Sequence, residues 1–277
     1  MVVEETTILK KNNGTPYIAF PALDRLSCVK HGFSTRMGGV STGHLSSMNL
    51  SFSRGDVYEN VVENYKRISN AIGFCYEDLV TTDQTHTTNV RIVLEEDRGK
   101  GIIIERDYKD IDGLITNVPN LPLVTYYADC VPLYIVDPVK NAIGLSHSGW
   151  RGTVGQMGKV TVELMKETYG CNPADMTACI GPSICKDCYE VSKDVADRFK
   201  DTFDKKYWNV LLKEKADDKF KLNLWEANRI ILKHSGLKLE NIHITDICTC
   251  CNSNWLFSHR ASHGKRGNLA AFLMLTD

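Results

Sequence analysis

Apolar residues along this chain fall mostly into short continuous runs bounded by turn-forming residues, with three or four stretches at helical spacing between them. TPYIAFPAL (15–23) and SCVKHGFST (27–35) read as two strands interrupted at Pro21. LPLVTYYA (121–128) and VPLYIVD (131–137) are the continuous runs of strands buried on both faces, and NAIGLSHSGWRG (141–152) begins as another. LVTTDQTHTTNVRIVL (79–94) reads as a loop feeding a strand, and GIIIERDYKDIDGLITN (101–117) as apolar runs around an acidic turn. Between them, Val57, Val61, Tyr65, Ile68 and Ile72 repeat at helical spacing, with Asp56 as N-cap and Gly73 as the stop.

A second helix is expected from Thr153, where Thr153 and Gln156 form a Thr-x-x-Gln capping box and Val154, Met157, Thr161, Leu164 and Met165 share a face. Ser192 is placed to cap a helix through about residue 203. Asn223 and Glu226 form another box, before a helix that Gly236 ends. The charge run KEKADDKFK (213–221) reads as a solvated loop or helix end. Gly- and Ser-rich RMGGVSTGHLSSMNLSFSRGD (36–56) reads as one long loop, and loops of that length in compact proteins are usually functional. Several adjacent strands leave no room for a helix between them. The expected class is therefore α/β in the α+β sense, with mixed or largely antiparallel sheets and helices outside, and one domain over residues 1–277.

Composition narrows the function classes. Lys+Arg is 33 and Asp+Glu 34, with no basic block, which gives no sign of a nucleic-acid or membrane-surface partner. The N-terminus lacks a signal-peptide apolar core, and no stretch approaches the roughly eighteen apolar residues of a membrane helix. The expected location is the cytoplasm, where the ten cysteines read as buried apolar residues, ligands or nucleophiles rather than disulfides.

Three segments each deliver one nitrogen or sulfur donor at the end of an apolar run: DQTH (83–86), ADC (128–130) and LSHSGWRG (145–152). His86, Cys130 and His147 suit Zn2+, and three protein ligands leave a fourth position open for water or substrate. Metal-bound histidines need an acceptor on the other ring nitrogen, and Asp83, Gln84, Asp129, Ser146 and Ser148 are the nearby candidates. Against this stands the bland reading of satisfied core histidines and a buried thiol. In GWRGT (149–153), Gly149 and Gly152 flank Arg151 before an expected helix N-terminus, an anion-binding arrangement or merely a tight turn. Arg36, beside Gly38-Gly39, and Arg260, in FSHRASHGKRGN (257–268), are further basic candidates.

Cys185 and Cys188, with Cys248, Cys250 and Cys251, offer a rival structural zinc site. The CTCC run reads as lacking a two-residue spacer and has apolar flanks, which favours inert buried thiols there. His31, His44, His234, His243 and His263 carry no usable pattern.

Taken in order, STRMGGVS, DQTH, ADCVPLYIVDP, HSGWRGT, IGPSICKDCYEV and FSHR closely resemble the YlmD/YfiH family, labelled multicopper polyphenol oxidoreductase or laccase-like and including the mammalian protein FAMIN. The resemblance implies a single-domain layered α/β/β/α fold similar to toxin-type cysteine hydrolases, and a zinc on His86, Cys130 and His147. It also implies purine nucleoside chemistry: phosphorolysis of adenosine, inosine and methylthioadenosine, and deamination of adenosine. The family arginines fall on Arg36 and Arg260. The tail that reads RRDGxxTGR in many relatives is RASHGKRGN here, which leaves Arg266 without an assigned role.

Eight scattered histidines without an H-x-H pair do not build the multi-histidine copper cluster of a laccase, so oxidase activity is at best secondary, with Cu2+ a possible replacement ion. Expected catalytic groups are Cys130, His86, His147 and Asp129. Arg36, Gln84, Gly149, Arg151 and Arg260 are expected to bind substrate or phosphate. Two alternatives stay open: an amide hydrolase with Cys130 as nucleophile and His147 or His86 as base, and a non-catalytic protein that binds nucleoside or metal.

Overall fold

The computed structural model describes residues 6–277. The strands are β1 (Ile8–Asn12), β2 (Thr15–Ala19), β3 (Val29–Ser34), β4 (Val80–Thr81), β5 (Val90–Ile92), β6 (Gly113–Thr116), β7 (Leu123–Tyr127), β8 (Val131–Asp137) and β9 (Ala142–Ser148). They continue as β10 (Thr177–Ile180), β11 (Glu190–Ser192), β12 (Leu212–Glu214), β13 (Lys219–Leu222), β14 (Ile242–Ile244) and β15 (Leu269–Leu275). The helices are α1 (Pro21–Asp24), α2 (Tyr58–Ile72), α3 (Trp150–Val154), α4 (Met157–Tyr169), α5 (Lys193–Thr202), α6 (Trp208–Leu211) and α7 (Leu224–His234).

One six-stranded sheet has the order β1-β2-β3-β15-β7-β4, and a second runs β14-β10-β8-β9-β6-β5. Both are mixed: β4 is parallel to β7, β5 to β6 and β10 to β14, while the other pairings are antiparallel. The two sheets face each other across one apolar layer, where Phe33, Tyr127 and Ala271 of the first meet Leu114, Tyr134 and Leu145 of the second. Helix α2 covers the outer face of the first sheet through Val61, Tyr65 and Ile68. Helices α4 and α7 cover the outer face of the second through Val162, Met165, Ala227 and Ile231. The expected α/β/β/α layering is thus the observed one. Each large side chain buried in these layers contributes about 1.5–3 kcal/mol, which is why the central strands are apolar on both faces.

Local expectations meet this frame unevenly. Gly73 ends α2 at φ 97, as the helix pattern requires. Asp56 does not cap it: the N-cap is Val57, and Asp56 instead accepts from Ser41 Oγ (2.6 Å) and Asn49 Nδ2 (2.9 Å). Thr153 and Gln156 form no capping box. Helix α3 starts earlier, from Gly149, and the chain breaks at Gln156 (φ 60) before α4. The Thr153 hydroxyl turns inward to Gly149 O (2.9 Å), away from the α4 terminus. Ser192 precedes α5 without a side-chain capping bond, whereas Asn223 Oδ1 does accept from Glu226 N (3.1 Å). The run at 213–221 is a β-hairpin, not a loop or helix end. Asp217 and Asp218 take the left-handed turn conformation, and buried Leu212, Phe220 and Leu222 anchor its two strands. Pro21 does separate β2 from β3, by opening the short helix α1.

The loop at 36–56 is pinned rather than loose. Asn64 of α2 donates to Ser41 Oγ, Ser47 O and Asn49 O and accepts from Val40 N, while Met48 and Leu50 are fully buried. No helix among the described residues is long and apolar enough to cross a membrane.

His31 on β3 is buried at 5 % exposure, stacks on Phe20, and accepts a hydrogen bond from Phe20 N at 2.8 Å. Burial drives its pKa down to about 4; Asp24 opposes that shift and Lys10 adds to it. The folded chain therefore binds fewer protons than the unfolded one. This contribution is complete above the unfolded pKa of about 6.5 and is lost as pH falls from there toward 4, at most about 3 kcal/mol. Urea unfolding between pH 7 and 4 should show wild type losing more stability than His31→Gln, which keeps an acceptor but does not titrate. Parallel pH profiles for the two proteins would rule this out.

Candidate metal centre and pocket

His86, Cys130 and His147 converge at one end of the sandwich. Pairing of β8 with β9 sets Pro132 opposite His147, so Cys130 arrives just before β8 while His147 points out near the end of β9. His86 lies in the loop between β4 and β5, with its backbone left-handed at φ 67. One ligand atom from each residue lies within 4.8 Å of the other two, and Cys130 Sγ is 4.0 Å from His86 Nε2. Gly149 passes so close that a Cβ there would lie 3.0 Å from Cys130 Sγ and 3.2 Å from the His86 ring, so the triad needs glycine at this point.

The organiser of the centre is Asp112, which sequence reasoning missed. Its side chain is fully buried, and its Oδ1 takes His147 Nδ1 at 2.7 Å and His86 N at 3.1 Å. Its Oδ2 accepts from Thr85 N (3.0 Å), Thr87 N (2.9 Å) and Thr87 Oγ1 (3.0 Å). With Nδ1 engaged, the His147 ring turns its Nε2 toward the ligand group. Burial alone would raise the Asp112 pKa, but the His147 bond and the backbone N–H groups of Thr87 and Thr85 hold it below the ordinary range.

Burial also works against a Cys130 thiolate, yet the adjacent imidazoles, His147 foremost, bring its pKa down to about 6. Burial would lower His147, and Cys130 with Asp112 instead raise it to about 9. The site therefore favours sulfur in the anionic form that binds metals. Soft thiolate, two imidazole nitrogens and a carboxylate on the far side of one ring fit a zinc-class ion.

The expected partners of the ligands lie elsewhere. Asp83 accepts from Arg106 (3.4 Å) and Asp110 N (3.2 Å). Gln84 brackets the Tyr126 peptide, with Tyr126 N donating to Oε1 at 2.6 Å and Nε2 donating to Tyr126 O at 2.8 Å. Ser146 pairs with Thr161, and Ser148 with Thr153 and Asn228. Asp129, left-handed at φ 88 and 8 % exposed, accepts from Thr249 Oγ1 (2.6 Å) and Arg260 N (2.7 Å).

The triad opens into a cavity of about 600 Å³, within the usual range for small-ligand sites. Gln84 and Arg260, expected at the site, line it with Asp129 and the triad. The Arg260 guanidinium donates to Cys188 O (3.0 Å) and Glu190 O (2.9 Å) beside the Tyr189 ring. Arg36 and Arg151 are not lining residues: Arg36 donates to Ser46 O and Ser253 O over the Phe257 ring, and Arg151 lies over Trp150.

Cations that carried no expectation stand there instead, Arg54 from the 36–56 loop, Arg106 and Arg266, together with His259, whose pKa burial and Arg266 hold below the ordinary imidazole value. Arg266 was left without a role by its altered motif, yet it is a wall of the cavity. Burial, and next Arg54, push its pKa down to about 10, and its buried Nε has no partner among the described residues. Its Nη1 is held by Gly267 O and Asn268 Oδ1, and two guanidinium groups on one cavity wall suit an anion.

Fold and site together define a layered α/β protein with a His-Cys-His ligand set at the mouth of an arginine-lined cavity. The chain belongs to the family described as multi-copper polyphenol oxidoreductase laccase, whose family model matches residues 30–276. It is 38% identical over 250 residues to the purine nucleoside phosphorylase YlmD of Bacillus subtilis (strain 168), covering 89% of this chain and 88% of that protein. Among solved structures it is similar to the hypothetical protein YfiH of Bacillus licheniformis, with TM-score 0.90, 31% identity and coverage of 97% of this chain and 99% of that one. YlmD from Geobacillus stearothermophilus matches with TM-score 0.89 at 30% identity, covering 98% of this chain and all (100%) of that one.

Proposed function

We propose that this protein is a zinc-dependent purine nucleoside phosphorylase acting on adenosine, inosine and methylthioadenosine, and that it deaminates adenosine in the same cavity. The observation that carries the reading is a pair of arginines, Arg54 and half-buried Arg266, lining one cavity with the His-Cys-His set. The names of relatives such as the Bacillus subtilis protein support it.

His86, Cys130 and His147 hold the ion, with copper able to replace zinc at such donors. When bound, the ion supplies Lewis-acid polarisation of an oxygen on substrate or phosphate. Arg266 and Arg54 bind phosphate and direct an oxygen toward C1′ of the nucleoside. The C1′–O bond to phosphate forms as the glycosidic C1′–N bond breaks, leaving base and ribose 1-phosphate. Ile184 and Tyr189 give the purine an apolar wall, and Gln84, clamped on the Tyr126 peptide, fixes the opposite rim. Positioning of this kind, together with oriented cations, is the principal catalytic resource for such a displacement.

Product chromatography with inosine tests the reading. Hypoxanthine and ribose 1-phosphate are expected only when phosphate is present. Arg266→Ala should raise KM for phosphate about 10-fold or more, the effect of losing a charge-assisted bond. Equal base release without phosphate would refute phosphorolysis. Inosine formed from adenosine in phosphate-free buffer reports the deaminase activity.

One observation favours a second reading. Cys130, His147 and Asp112 stand in the order of a nucleophile, a base and its orienting carboxylate. An amide hydrolase using Cys130 would form a covalent acyl adduct on that residue in active, metal-free protein, and mass spectrometry decides it.

A further inference from the structure

β10 and β14 are parallel neighbours at the edge of the second sheet, so the loops that follow them leave the same end side by side. Ser183 N donates to Ile247 O, and Thr249 N to Ser183 O, both at 3.1 Å, which zips the two loops together. Cys185 and Cys188 sit on the first loop, Cys248 and Cys251 on the second. Their four sulfurs lie within 4.8 Å of one another, with Cys188 Sγ 3.4 Å from Cys251 Sγ. The apparent lack of a spacer in CTCC is corrected by this geometry. The paired residues are Cys248 and Cys251, with two residues between them as between Cys185 and Cys188, and Cys250 is outside the group and packs against the core. Two backbone N–H groups, from Cys185 (3.3 Å) and Cys251 (3.4 Å), point at Cys248 Sγ.

We propose that Cys185, Cys188, Cys248 and Cys251 form a second metal site, a closed tetrathiolate site for zinc, sharing no ligand with His86, Cys130 and His147. Two C-x-x-C hooks on adjacent loops supply a complete tetrahedral sulfur set, the arrangement of a structural rather than a catalytic zinc. The thiols are free in the structure, and four sulfurs this close need either protons, a disulfide or a cation to coexist. The site's place in the fold gives the ion a task. The first loop carries Ile184 and Tyr189 into the cavity, and the second supplies Thr249, which holds Asp129 beside Cys130. Arg260, farther along the second chain segment, returns to bond Cys188 O. Zinc at the four sulfurs fixes this wall of the cavity from behind.

The test is metal loading, with no reliance on turnover. Full-length His86→Ala/Cys130→Ala protein, kept reduced, is titrated with Co2+ and then with Zn2+. It should retain one cobalt per chain, with sulfur-to-cobalt charge-transfer absorption and tetrahedral d–d bands, and release it to zinc. Adding Cys188→Ser and Cys251→Ser should remove that absorption entirely. Native mass spectrometry of the unmodified protein is the second readout, independent of how the variants fold, and should show two zinc ions per chain. A single zinc per chain, no thiolate-to-cobalt absorption, or a Cys188–Cys251 disulfide (a mass lower by two hydrogens) in reduced protein would each overturn the proposal.

Discussion

Replacing Cys130 by Ala is expected to lower kcat/KM for inosine phosphorolysis at least 10³-fold, equivalent to about 4 kcal/mol of transition-state stabilisation, while the protein stays folded. The argument rests on the donor set. Cys130 is the one thiolate among three ligands, and its pKa near 6 means that it presents sulfur as an anion at neutral pH. Alanine leaves two neutral imidazoles, a set with no anionic ligand and one donor too few to fix a divalent ion in place. Metal analysis by mass spectrometry should show loss of the ion from this centre in parallel with activity. Folding should be spared, because Cys130 is half-buried at the cavity mouth and only borders the inter-sheet layer. A variant that retains normal base release from inosine would show that the centre is not the seat of the reaction.

Asp112→Asn is expected to produce the next largest effect, and one of a different kind. The Asp112 carboxylate accepts five hydrogen bonds, four from the 85–87 segment and one from the His147 ring. An amide of the same shape presents an NH2 group to donors already in place. Unsatisfied buried groups and a lost charge-assisted bond together cost about 3 kcal/mol, seen as a lower urea midpoint. Metal affinity should fall about 10- to 100-fold, the usual consequence of losing the carboxylate behind a metal-bound histidine. Unchanged zinc affinity in a destabilised variant would mean that Asp112 supports the loop but does not orient His147.

The three candidate ligands were legible in sequence because each follows or ends an apolar run, in segments that the structure brings together at the rim of the sheets. The six ordered motifs then singled them out from the other histidines and cysteines. Asp112 was not legible. It lies in the acidic turn before β6, and only the register that sets Gly113 opposite Ser146 places it beside His147. The polar neighbours in sequence, Ser146 and Ser148, point away for the same reason: alternate residues on a strand face opposite sides. The long loop at 36–56 does reach the cavity, but which arginine it delivers depends on how Asn64 pins it. Arg54 reaches the cavity, while Arg36 is held by carbonyls behind it. Likewise, the 213–221 run carries helix-compatible charges, yet two left-handed aspartates and three buried side chains make it a hairpin. Tertiary burial outweighs local composition there.

The grip of Asp112 on both the His147 ring and the 85–87 backbone bears on how the ion arrives. Asp112 holds the His147 ring through its Nδ1 and the 85–87 segment through backbone N–H groups, so a single carboxylate couples one ring to the loop that carries another. Because Cys130 and Asp112 raise the His147 pKa to about 9, an ion that loads at neutral pH displaces a proton from that ring. A chelator should strip this centre and leave a folded chain whose zinc affinity rises with pH toward 9.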